Sequence, residues 1–61
     1  MSIKLDKNGN CCFYGDWIFS KEDGILEIER SSGEYLILFD IFSGEEKVIH
    51  NSKLRNYEKM L

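Results

Sequence analysis

Two adjacent cysteines, one histidine and a scatter of carboxylates are the side chains with which this 61-residue sequence could do chemistry. Cys11 and Cys12 adjoin, and His50 lies far along the chain. A structural zinc ion needs four ligands at tetrahedral distances. Neighbouring residues of a strand point to opposite faces, so the two thiols cannot grip one ion together. Neither Cys-x-x-Cys nor a second histidine is present. The pattern therefore implies no metal and no cofactor. It casts Cys11 as a small core residue and Cys12 as an exposed or interface thiol. A Cys–His nucleophile would need a third, orienting group and a substrate cleft of at least about 300 Å³. A chain this short has little room for one, so the expectation is a non-enzymatic protein without a small-molecule substrate. The acids are no better organised. Glu27 and Glu29 alternate with Leu26 and Ile28, which is how a solvent face reads, and Lys21 to Gly24 lacks the spacing of a calcium loop. Asp40 differs, because it interrupts an apolar run. A carboxylate there faces solvent at a bulge, is held by hydrogen bonds, or marks an interface edge.

Charge bears on nucleic acid. The net charge is −3, but residues 1–46 hold four bases against ten acids, while residues 47–61 hold Lys47, Lys53, Arg55 and Lys59 against Glu58. Single-strand binders set aromatic platforms in a basic groove, and phosphate contacts dominate their affinity. Eight aromatics are available, but the acidic body offers no such groove. Only a basic C-terminal segment carrying Lys53, Arg55 and Tyr57 could meet a phosphate backbone, which makes nucleic-acid binding the alternative reading.

These residues must be positioned by strands. Glu34 to Phe42 is the longest apolar run, far short of the ~20 residues that cross a bilayer as a helix. It is rich in β-branched and aromatic residues and reads as the central strand. Tyr35, Ile37, Phe39 and Ile41 fall on one face, and Leu36, Leu38, Asp40 and Phe42 on the other. All five glycines sit where a meander would turn or bend. The spacing predicts strands at about 2–5, 10–20, 25–30, 34–42 and 45–50. The second bends at Gly15, with its odd residues Cys11, Phe13, Trp17 and Phe19 inward. The fifth is a charged edge strand. Asn51 or Ser52 would cap a helix over about 52–60, with Leu54, Tyr57 and Leu61 on one side. The predicted fold is mainly β: a single small domain built as a curled five-stranded antiparallel meander with a short C-terminal helix. In outline it resembles small SH3-like half-barrels. No motif of that family is matched, so no functional residue is carried over.

Sixty-one residues bury only ~60% of their unfolded surface, yet 43% of this chain is hydrophobic. That surplus points to docking. Tyr14, Ile18, Asp40, Phe42 and Tyr57, with Lys53 and Arg55, are the residues expected at an interface with a protein partner or a second copy. The absence of an apolar leader segment suggests the cytoplasm. A small regulator, inhibitor or adaptor, of the kind a phage or mobile element encodes, would fit. Its acidic body could compete for the basic site of a nucleic-acid-binding protein.

Overall fold

The computed structural model describes residues 5–61. Its elements are β1 (Trp17–Ser20), β2 (Gly24–Ser32), β3 (Tyr35–Asp40), β4 (Glu46–His50), a 3-10 helix (Asn51–Asn56) and β5 (Glu58–Lys59). The strands form one open antiparallel sheet in the order β4-β3-β2-β1-β5. The molecule is thus mainly β, as the alternation predicts, and β4 is an edge strand as expected. β2, not β3, lies at the centre. The sheet is open, with β4 and β5 at opposite edges, and the expected SH3-like outline is not confirmed.

Turn chemistry sets the hairpins. All five glycines have positive φ. Between β2 and β3, Ser32 faces Tyr35 across a two-residue loop, Gly33-Glu34. Gly33 has φ +60°, and among the described residues no other residue type has positive φ. Only the first central position is left-handed, which is the type II′ turn that matches strand twist. Further along, the register passes from Ile28 opposite Leu38 to Arg30 opposite Ile37. Glu29 is therefore the extra residue of a β-bulge.

The second expected strand and the C-terminal segment depart from the sequence reading. The strand expected at 2–5 falls, except for Leu5, outside the described residues, and Leu5 makes a single antiparallel bridge to Cys11. Of the long strand expected over 10–20, only Trp17–Ser20 is sheet. Ahead of it the chain turns at Phe13 to Asp16, where the Asp16 N–H donates to the Phe13 carbonyl. The expected helix over 52–60 is one 3-10 segment of six residues, after which β5 pairs beside β1. Its N-cap is His50, whose ring accepts from the Ser52 N–H. A segment so short has no α-helical ladder of its own. It is held by Leu54, which is fully buried.

The core lies on one side of the sheet. Ile18, Leu26, Ile28, Leu36, Leu38 and Ile49 cluster there, roofed by Cys12, Leu54 and Tyr57. Fully burying one such aliphatic side chain stabilises the fold by about 1.5–3 kcal/mol. This corrects the predicted phase of the second strand: Cys12, Ile18 and Ser20 are buried, while Cys11, Phe13, Trp17 and Phe19 are exposed. Residues directly opposite on paired strands share a face. The three-residue loop Lys21 to Asp23 sets Ser20 opposite Gly24, and hence Ile18 opposite Leu26. Loop length, not aromatic content, selects the inward face.

Candidate functional site

The face of the sheet away from that core carries Trp17 and Phe19 from β1, Ile25 and Glu27 from β2, and Ile37 and Phe39 from β3. Glu46 and Val48 follow from β4. Nothing among the described residues lies over it. Val48 is 60% exposed, and Trp17, Phe19 and Met60 are each 40–44% exposed. Ile37 is the one deeply buried member, sheltered by its own neighbours. Contiguous apolar surface of this kind marks interaction sites on small proteins.

Acids are set into this apolar field. The Trp17 indole N–H donates to Glu27 Oε1 at 3.2 Å. Arg30 Nη1 lies 2.9 Å from Glu29 and 3.2 Å from Glu46. Glu58, opposite Phe19 on β5, is 3.7 Å from Lys7. Exposed pairs of this sort hold little energy, about 0–1 kcal/mol each, so their carboxylates can exchange partners. Among the described strand residues on this open face, Glu27, Glu46 and Glu58 stand with one cation, Arg30, while Lys7 reaches Glu58 from outside the sheet and Lys47 and Lys59 lie opposite Leu38 and Ile18 on the core side.

The residues that the sequence singles out are dispersed. Ile18 is fully buried and Tyr57 is 4% exposed, so neither is free to bind a partner. Tyr57 is instead a tie. Its hydroxyl donates to Asp23 Oδ2, and Lys47 Nζ reaches Asp23 Oδ1 at 2.8 Å. Burial first, and then Asp23, push the phenol well above its ordinary range. The Lys47 hydrogen bond, followed by that of Tyr57, holds Asp23 below its usual value. Asp40 caps the β3–β4 loop, accepting from the N–H groups of Phe42 at 2.9 Å and Ser43 at 3.1 Å. These bonds hold its carboxyl low. The loop presents Phe42, 80% exposed, at its tip. Tyr14 is exposed at the rim, its hydroxyl bonded to Ser31 Oγ. Lys53 and Arg55 stand exposed on the 3-10 helix, on the side of the sheet opposite the open face. Lys59, counted among the basic tail residues, is engaged with the Cys11 carbonyl at 2.8 Å and Asp16 at 3.3 Å.

Two constellations escape the sequence reading. His50 Nδ1 lies 2.8 Å from Ser52 Oγ, and Nε2 lies 3.2 Å from Glu34 Oε1. The order Ser–His–Glu has the look of a nucleophile relay. Here the ring nitrogen also accepts the Ser52 N–H, and the Glu34 side chain is 78% exposed. The arrangement is a helix cap in open solvent, without the enclosure that electrostatic catalysis draws upon. Asp6 is the other. It is 3% exposed and accepts from the N–H groups of Asn8 (2.9 Å), Asn10 (2.7 Å) and Lys59 (2.7 Å). Burial alone would raise its pKa, but these bonds outweigh it and the carboxyl is held low. Asp6 fastens the first turn to β5. Its signal in the sequence is the Asp-x-Asn-Gly turn, which reads as local only.

The thiols take opposite environments but in the reverse assignment to that expected: Cys12 is buried and Cys11 exposed. Burial raises the Cys12 thiol further from ionisation. Among the described residues no three metal-ligating side chains converge, and no helix is long and apolar enough to cross a membrane. No protein family, curated protein or solved structure matches the chain.

Proposed function

We propose that this is a non-enzymatic docking protein that binds another protein through the open face of its sheet. The observation carrying this reading is the asymmetry of the two faces. One is roofed by Cys12, Leu54 and Tyr57, while the other leaves Trp17, Phe19 and Val48 in solvent. Interface energy concentrates in aromatic anchors, and this face holds two of them beside each other on β1. A regulatory or inhibitory role and a phage or mobile-element origin rest on size and composition alone. Two free cysteines suit a reducing compartment such as the cytoplasm.

The nucleic-acid alternative is the weaker reading. Tyr57 is buried and offers no stacking platform. Lys7, Lys47 and Arg55 line one cleft, but Glu22 and Asp23 line it too.

The test compares the wild-type protein with a Phe19→Ser, Val48→Ser variant as bait in extracts of the native host. Circular dichroism would confirm that both fold alike. A partner retained by wild type and lost by the variant is expected. Capture that is indifferent to these two substitutions, or strong oligonucleotide binding that collapses with salt, would overturn the reading.

A further inference from the structure

The open face has a sign as well as a hydropathy. Its apolar residues form a band across the sheet: Phe19 opposite Ile25, Phe39 next along, and Ile37 opposite Val48. Glu27 is set within the band between Trp17 and Phe39, and Glu46 and Glu58 lie on either side of it. Among the described residues Arg30 is the one cation on this face of the sheet, shared between Glu29 and Glu46, and Lys7 approaches Glu58 from the edge at 3.7 Å. Lys53 and Arg55, which form no ion pair among the described residues, belong to the 3-10 helix on the roofed side. The two sides of the molecule therefore differ in charge as well as in cover.

Resting on the docking reading above, we propose that the occupant of the open face is a cationic amphipathic segment of a partner protein. Its apolar ridge would lie along Phe19, Phe39 and Val48, and its Lys or Arg side chains would reach Glu27, Glu46 and Glu58. Charge decides against the other occupants. A second copy placed face to face brings two net acidic faces together, and like charges juxtaposed at an interface are costly. Nucleic acid and anionic lipid headgroups are repelled by the same carboxylates. A cationic segment instead replaces weak, solvent-exposed pairs with contacts at the border of a desolvated apolar strip, where they strengthen.

Trp17, the only tryptophan, stands in this face and reports on its occupancy. The experiment titrates the full chain with two synthetic amphipathic helical peptides of identical leucine pattern, one with lysine on its polar face and one with glutamate. Tryptophan emission is read at low and moderate salt. The lysine peptide should shift Trp17 emission to the blue with saturation, at least tenfold more tightly than the glutamate peptide, and should weaken as salt rises. The Glu27→Gln, Glu46→Gln variant should lose most of that preference, while Glu22→Gln, on the roofed side, should keep it. Equal binding of both peptides, or a preference unchanged in the double variant, overturns the charge assignment and leaves the docking reading standing. If neither peptide perturbs Trp17, both readings are overturned. Light scattering that shows a dimer at micromolar concentration overturns the assignment in favour of a second copy.

Discussion

A few polar side chains hold the two ends of this chain to the sheet. Asp6 accepts the backbone N–H groups of Asn8 and Asn10 in the turn that follows it, and that of Lys59, more than fifty residues away. Asp6→Ala leaves three donors without their acceptor and should cost on the order of 3 kcal/mol, read by urea denaturation. The folded carboxyl is held low, so the stability it lends is complete above the ordinary aspartate range, near pH 4. It is lost as pH falls through the lowered value. Asp23 has the same sign. Acid unfolding should therefore begin below about pH 4, and Asp6→Asn should flatten it. Tyr57 works at the other end of the scale. Its raised value means that stability is full below about pH 10 and is lost above it, as the unfolded phenol ionises and the folded one does not. In a Tyr14→Phe, Tyr35→Phe background, tyrosinate absorbance should appear only together with loss of the β-sheet circular dichroism. Tyr57→Phe should cost about 2 kcal/mol by releasing a charge-assisted hydrogen bond.

At the scale of elements, the hairpins are set by glycine geometry and the ends by tertiary contact. Gly33 occupies the left-handed position of the β2–β3 turn with open space around it. Gly33→Ala meets no clash and should cost only the conformational penalty of its positive φ, about 1–3 kcal/mol in thermal or chemical unfolding. The 3-10 helix has no such local guarantee. Periodicity in Leu54, Tyr57 and Leu61 suggests an α-helix, but Leu61 is 98% exposed. Burial of Leu54 and Tyr57, with β5 pairing to β1, brings the segment to an end after six residues. Leu54→Ala should accordingly release the C-terminal segment, at a cost of about 2–5 kcal/mol. Faster amide exchange at Met60, whose N–H donates to the Trp17 carbonyl, would reveal the release.

The whole molecule is one sheet with one roof. Its core lies on the roofed side, and the proposed docking surface lies on the other. Phe19→Ser and Val48→Ser remove surface that is already 40% and 60% exposed. Their combined effect on folding should stay within about 1 kcal/mol while partner binding falls. A large loss of stability would place the open face in the folding core and remove the separation of roles.

Local chemistry was written in the sequence. The positive-φ turns, the alternation of Leu26 and Ile28 with Glu27 and Glu29, the charged edge strand and the mainly β class all follow from residue type and spacing. These are properties of a few consecutive residues, and nearest-neighbour sterics settle them. An excess of apolar surface was also legible, but not where it lies. The sequence reading places Ile18 at an interface beside Tyr14, yet Ile18 belongs to the core itself. A strand with apolar residues on both faces does not state which face is roofed. That choice came from the register set by the Lys21–Asp23 loop and from the return of the chain's last residues to the edge of β1. Both are long-range facts, and they put Trp17, Phe19 and Val48 into solvent and gave the molecule its acidic, apolar face.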